Sequence, residues 1–127
     1  NAVRTDAVQH PTAFGNWLCE ISDELRGMVE VAIVGPSNED MNVLRSTIFK
    51  TFIPNSVIIC KATDEYLGFN GDQLSSSPLL QDRSTIDDGT TVYICKNYVC
   101  KLPVNNLEDL EKIINETIQK RPKLDSQ

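Results

Sequence analysis

The chain has 127 residues, of which 40% are hydrophobic and 24% are charged, and its formal net charge is −6. These values are typical of one soluble domain and argue against a disordered chain. The negative charge disfavours nucleic acid as a partner, because phosphates repel an acidic surface. No run approaches the roughly 20 apolar residues that cross a bilayer, so we expect no membrane partner. The chain opens at Asn1 in a polar run, and we expect it to be a fragment of a larger protein.

The first predicted element is a leading helix over residues 9–27. Pro11 suits the first turn of a helix, and Gly27 suits the position just past its end. The apolar residues recur on one face at helical spacing, and they are Phe14, Trp17, Leu18, Ile21 and Leu25. This stripe predicts that Trp17 anchors the helix in the core.

Residues 28–62 predict a β-α-β unit. The apolar runs 28–35 and 56–62 read as strands covered on both faces, and in such a unit they are parallel. Between them, Ser37 and Asp40 form a capping-box pattern at the start of a helix. The predicted inner face of that helix is Met41, Leu44, Ile48 and Phe52.

Residues 63–89 are irregular, and residues 90–120 predict a β-β-α unit. Asn97 suits the hairpin turn, because asparagine tolerates the left-handed conformation. Asn106 is the predicted cap of the last helix. The inner face of that helix is Leu107, Leu110, Ile113, Ile114 and Ile118.

Residues 1–127 therefore predict a single α/β domain with a mixed sheet of about four strands. We expect helices on both faces of this sheet, because its strands are so apolar. The order of elements is that of the thioredoxin core, preceded by an N-terminal helix.

The redox motif of thioredoxins is missing from this predicted topology. Their reactive cysteines lie at the N-terminus of the helix after the first strand, where the helix dipole stabilises a thiolate. The matching stretch, "VGPSNEDM", has no cysteine, and Glu39 and Asp40 add negative charge there. Thr90 stands where these proteins carry a cis-proline. We therefore expect the fold without its usual chemistry.

Cys95 and Cys100 lie on the predicted hairpin, and the register of this hairpin decides their relation. A turn at residues 96–97 places them diagonally, about 7 Å apart at Cα, which is too far for a disulfide. A turn at residues 97–98 places them directly opposite, where a disulfide is feasible. Packed free thiols are the favoured interpretation, ahead of a disulfide and of a catalytic pair.

The remaining ligand-type side chains are sparse. Cys19 and Cys60 complete the four cysteines, and His10 is the single histidine. We expect no metal and no cofactor, since structural zinc needs closely spaced ligand pairs. Four cysteines are too few for a disulfide-rich scaffold in a chain of this length, which favours a reducing intracellular compartment.

The stretch "TVYICKNYVCKLPV" resembles the closing signature of the spermatogenesis-associated protein 20 family. The matching positions are Tyr93, Cys95, Asn97, Cys100, Pro103 and Val104. The resemblance covers residues 9–118 and implies a C-terminal region. Family members carry an N-terminal thioredoxin-like domain and a central α/α-toroid, and "HPTAFGNWL" is similar to the toroid's last helix.

The resemblance implies a parent protein linked to fertility, with no catalytic residue that carries over to this chain. We expect a non-catalytic accessory or interaction domain that packs on the rest of its parent or on a protein partner. The candidate interface is Phe14, Trp17 and Leu18, and uncovering it in a fragment predicts a homodimer. The alternative function is a thiol-disulfide oxidoreductase that uses Cys95 and Cys100.

Overall fold

A computed structural model describes residues 2–63 and 77–119 of the chain. The elements in chain order are α1 (Ala2–Gln9), α2 (Gly15–Arg26), β1 (Val29–Gly35), α3 (Asn38–Lys50), β2 (Ser56–Ala62), β3 (Thr91–Lys96), β4 (Val99–Cys100) and α4 (Leu107–Gln119). The strands form one mixed sheet in the order β2-β1-β3-β4. β1 is parallel to β2 and antiparallel to β3, which is antiparallel to β4. The predicted α/β fold with thioredoxin-like topology is confirmed.

One face of the sheet carries the main core. Here α3 contributes Met41, Leu44 and Ile48, and α4 contributes Leu110 and Ile114. They pack on alternate residues of the central strands, namely Val29, Val31, Ile33, Val92 and Ile94. Both helices cover this face because their apolar stripes follow the helical period predicted from the sequence.

The opposite face has a smaller cluster, in which Leu80 packs with Ala32 and Val34. In the described part of the chain this face is covered by the turns around Leu80 and not by a helix. The expectation of helices on both faces is thus confirmed for the main-core face, and for the opposite face it falls partly on residues outside the described ranges. Residues 64–76, which make up most of the predicted irregular segment, lie outside the described residues.

The N-termini of α3 and α4 follow the sequence signals. The hydroxyl of Ser37 accepts a hydrogen bond from the backbone N–H of Asp40 at 3.1 Å. The Asn106 side chain accepts one from the backbone N–H of Asp109 at 2.9 Å. α3 ends at Lys50, so Phe52 lies beyond the helix and is 84% exposed. Its predicted place in the buried stripe was wrong.

The N-terminal region has two helices where the sequence predicted one. Residues 10–14 form a turn between α1 and α2, closed by a hydrogen bond from the Ala13 N–H to the His10 carbonyl. Pro11 lies in this turn and not in a helix. A proline disfavours the helical conformation of the residue before it, here His10, and α1 accordingly ends at Gln9. The predicted helix over 9–27 is thus shortened to Gly15–Arg26.

Candidate functional site

The place where a thioredoxin would carry its redox centre is a cleft of about 440 Å³ between the N-termini of α3 and α4. Its lining includes Pro36, Asp40, Asp88, Thr90 and Asn106. The start of α3, which lacks the thioredoxin cysteines, and Thr90, which replaces the cis-proline, therefore line the same cleft. The lining residues of this cleft include two carboxylates and no cysteine.

Thr90, in the position of the cis-proline, is 8% exposed. Its hydroxyl has no hydrogen-bond partner among the residues that the structure describes. It lies close to Gly35 at the end of β1, where an added Cβ would lie 2.8 Å from Thr90 Oγ1. The next residue, Thr91, is fully buried, and its hydroxyl donates to the Gly89 carbonyl and accepts from the Ile86 N–H.

Two residues of the candidate interface, Trp17 and Leu18, lie on α2, and Phe14 directly precedes this helix, in which no residue is buried. Trp17 is 57% exposed and Leu25 is 63% exposed, whereas Phe14 and Leu18 are half-buried. Trp17 is therefore not the core anchor that its place in the stripe predicted. We call the exposed apolar side chains Trp17, Ile21, Leu25 and Met28 the α2 surface.

The C-terminal end of α2 is held against the sheet by polar contacts. The amide of Asn55 donates to the Asp23 carbonyl at 3.1 Å, and the N–H of Asn97 donates to the Met28 carbonyl at 3.1 Å. Gly27 has a φ of +75° and lies so close to the Asn97 side chain that a Cβ there would overlap it. These contacts fix the end of the helix and leave its apolar stripe outward.

The hairpin adopts the directly opposed register. Asn97 and Tyr98 form its two-residue turn, both with positive φ, so that Lys96 pairs with Val99 and Cys95 with Cys100. Cys95 and Cys100 form a disulfide bond. The favoured interpretation as packed free thiols was therefore wrong, and the reason is the register, which places Cys95 and Cys100 directly opposite each other and not diagonally.

Arg83 lies beside this disulfide and was not predicted as a site residue. Its Nη2 lies 3.3 Å from the Cys95 sulfur and 3.8 Å from the Cys100 sulfur. The guanidinium also stacks over the Tyr93 ring, 5.0 Å from its centroid. Arg83 is twelve residues before Cys95, in an irregular segment, so no local pattern in the sequence points to it.

The two lysines of the hairpin point away from the disulfide, as their alternation along the strands predicts. The Lys96 ammonium donates to the Thr117 carbonyl of α4 at 3.1 Å. Lys101 forms an ion pair with Glu116 of the same helix. Both cations thus fasten the hairpin to the helical face of the sheet and leave Arg83 as the cation in contact with the sulfurs.

The two other cysteines are free thiols. Cys19 is exposed on α2, and Cys60 is half-buried on β2, against the main core. Burial raises the pKa of the Cys60 thiol, and the nearby Arg45 charge opposes this shift. Among the described residues, no group of three or more His, Cys, Asp or Glu side chains is arranged to hold a metal ion. None of the described helices is long and apolar enough to span a bilayer.

Comparison with known proteins gives a consistent set of relatives. The chain is 27% identical to spermatogenesis-associated protein 20 of Rattus norvegicus over 107 residues, and 26% identical to that of Mus musculus over 107 residues. It is also 26% identical to the Homo sapiens protein over 106 residues. The predicted family resemblance is confirmed. Each alignment with spermatogenesis-associated protein 20 covers 83% or 84% of this chain.

The relatives are much longer than this chain, which spans 13% of the length of each. No family model matches the chain, and no solved structure matches it.

Proposed function

We propose that this chain is a non-catalytic accessory domain that docks through the α2 surface on another part of a spermatogenesis-associated protein 20-like protein. The exposure of the α2 surface carries the proposal, because Trp17 and Leu25 lie on an ordered, anchored helix yet stay more than half exposed. Soluble proteins rarely leave a contiguous apolar stripe uncovered unless it meets a partner. We expect the partner surface to be apolar as well, since the apolar side chains of the α2 surface cannot pair with charged groups.

The length of the relatives supports this choice of occupant. The chain matches only 13% of each relative, so a protein of that family has ample further structure for α2 to pack on. The sequence "HPTAFGNWL", which resembles the last helix of a toroid, includes Phe14, Trp17 and Leu18 and lies where such a contact would form. The half-burial of Phe14 and Leu18 against their own chain leaves Trp17 as the centre of the contact.

Oxidative footprinting of Trp17 tests the proposal. Trp17 is the single tryptophan of this chain, so its oxidation is read without ambiguity in the isolated 127-residue polypeptide. We expect fast oxidation there, and at least tenfold slower oxidation of the same peptide in the complete parent protein. Phe49 of α3, which is 63% exposed on a different helix, is the internal control and should react similarly in both.

Equal oxidation of Trp17 in the two forms would overturn the proposal. A second measurement keeps the test independent of footprinting yields. The remainder of the parent, produced separately, should bind the 127-residue chain in titration calorimetry, and the Trp17→Ser and Leu25→Ser changes should abolish binding. The control change Phe49→Ser should leave it intact.

A further inference from the structure

The disulfide between Cys95 and Cys100 is asymmetric in its exposure. Cys95 is 1% exposed, because β1 and β4 flank it, whereas Cys100 is exposed on the short strand at the sheet edge. A thiolate that attacks a disulfide must approach one sulfur along the S–S axis and expel the other. Access therefore selects Cys100 as the attacked sulfur and Cys95 as the leaving group.

Arg83 is placed to stabilise the group that leaves. Its Nη2 is closer to the Cys95 sulfur than to the Cys100 sulfur, at 3.3 Å against 3.8 Å. A thiolate beside a guanidinium forms more easily, and a more acidic leaving thiol departs faster. A buried cysteine without such a cation would be a poor leaving group, since burial disfavours the charged form.

The position of Arg83 is fixed by its neighbours. The Tyr93 ring lies under the guanidinium. The Tyr93 hydroxyl donates to the Ser84 carbonyl at 2.7 Å and accepts from the Ser84 N–H at 3.3 Å. Leu80, three residues earlier, is buried against the sheet. The Tyr93–Ser84 hydrogen bonds and the buried Leu80 side chain therefore fix the backbone on both sides of Arg83 and hold its guanidinium over the disulfide.

The other charged side chains near the disulfide lie on different faces of the sheet. Glu30 pairs with Cys95 in the β1–β3 register, so its carboxylate lies on the same face and opposes Arg83. Lys96 and Lys101 lie on the opposite face, where both contact α4. The Arg83 guanidinium is in direct contact with the sulfurs, so its charge outweighs the others.

We propose that Cys95–Cys100 is a thiol-disulfide exchange site for low-molecular-weight thiols, with Cys100 as the attacked sulfur and Arg83 as the cation that receives the Cys95 thiolate. A thiolate attacks Cys100 Sγ, the S–S bond breaks, and its electron pair passes to Cys95 Sγ. A second thiol then attacks the mixed disulfide at the sulfur of the first. The result is two protein thiols and one small-molecule disulfide, so two electrons pass from the thiols to the protein.

This proposal is independent of docking through α2. It also differs from thioredoxin chemistry, because the stabilising charge is a side chain on the sheet face and not a helix N-terminus. The cleft between α3 and α4 takes no part in it.

The experiment follows reduction of the folded 127-residue chain by glutathione at neutral pH, with acid quenching, alkylation and peptide mass spectrometry. We expect reduction to be much faster than global unfolding. Arg83→Gln should lower the second-order rate constant about threefold or more, because the leaving thiol loses its neighbouring cation and its pKa rises. Arg83→Lys, which keeps the charge, should restore much of the rate. Arg26→Gln, on α2 and bonded to Ser22, is the matched control and should leave the rate unchanged.

A second readout separates this role from a structural one. NMR titration of the reduced protein, labelled with ¹³C at the cysteine Cβ, should give a Cys95 thiol pKa below that of an ordinary free cysteine. Arg83→Gln should raise the Cys95 pKa. If Arg83 had only a structural role, the variant would have a lower melting temperature and an unchanged Cys95 pKa. Reduction that occurs only at the rate of global unfolding would overturn the proposal. So would an Arg83→Gln variant with unchanged rate and unchanged Cys95 pKa.

Discussion

Thr90 and Thr91 are adjacent buried threonines whose hydroxyls differ in their hydrogen bonding. Thr91 makes two hydrogen bonds, to the Gly89 carbonyl and from the Ile86 N–H, and these close the turn before β3. Thr90 Oγ1 makes none among the described residues, although it too is buried. A buried hydroxyl without a partner carries the desolvation penalty with no compensation.

The pair gives a matched test of this difference. Thr90→Val keeps the shape and removes the unpartnered hydroxyl, so we expect the free energy of unfolding to rise by about 1 kcal/mol. Thr91→Val leaves the Ile86 N–H without its acceptor, so we expect a loss of about 1–3 kcal/mol. Urea denaturation of the two variants measures both values. Destabilisation by Thr90→Val would mean that its hydroxyl has a hydrogen-bond partner after all.

At the scale of single residues, the sequence identifies the positions of the two hairpin cysteines but not whether they form a disulfide. The sequence shows Cys95 and Cys100 as a pair on one hairpin and is compatible with both registers. The choice between them depends on whether residues 96–97 or 97–98 occupy the left-handed turn. Tyr98 adopts this conformation with a φ of 64°, which its residue type does not favour. Local preference was therefore a poor guide to the disulfide.

At the scale of elements, the sequence signals for helix starts and strands were strong because they are local. Ser37 and Asn106 cap their helices as predicted, since a side-chain acceptor three residues before an N–H needs no tertiary contact. The bounds of β1 and β2 also follow the apolar runs closely. The start of α2 was misplaced because Pro11 suits both a first helical turn and an interhelical turn.

The cap at Ser37 gives a prediction for α3. Ser37→Ala should lower the free energy of unfolding by about 1 kcal/mol, because the Asp40 N–H loses its acceptor at the start of the helix. Ser46→Ala is the control in the same helix, since its exposed hydroxyl bonds only the Val43 carbonyl one turn earlier. We expect that change to stay within about 0.5 kcal/mol. Thermal denaturation followed by circular dichroism compares the two, and equal losses would contradict a capping role.

At the scale of the whole molecule, the exposed α2 surface leads to a prediction about self-association. If no other partner covers Trp17 and Leu25, two copies of the 127-residue chain should bury them against each other at high concentration. Sedimentation equilibrium should show a dimer, with a blue shift of Trp17 emission as it forms. Leu25→Ser should weaken the dimer at least tenfold, which corresponds to about 1.4 kcal/mol.

The control for self-association is Phe49→Ser, which removes an equally exposed apolar side chain from α3. It should leave the dimer unchanged. A chain that stays monomeric at high concentration, with Trp17 emission unaltered, would show that exposure of the α2 surface does not drive association by itself.

The sequence by itself determined the α/β class, the order of the described strands and helices from α2 onward, the two helix caps and the absence of a cysteine at the start of α3. These properties depend on periodicity and on contacts within a few residues, which the sequence displays directly. Only the tertiary structure decided the hairpin register, the exposure of Trp17 and the place of Arg83 over the disulfide. Each of these depends on residues far apart in the chain, and their contacts form only when the sheet is assembled.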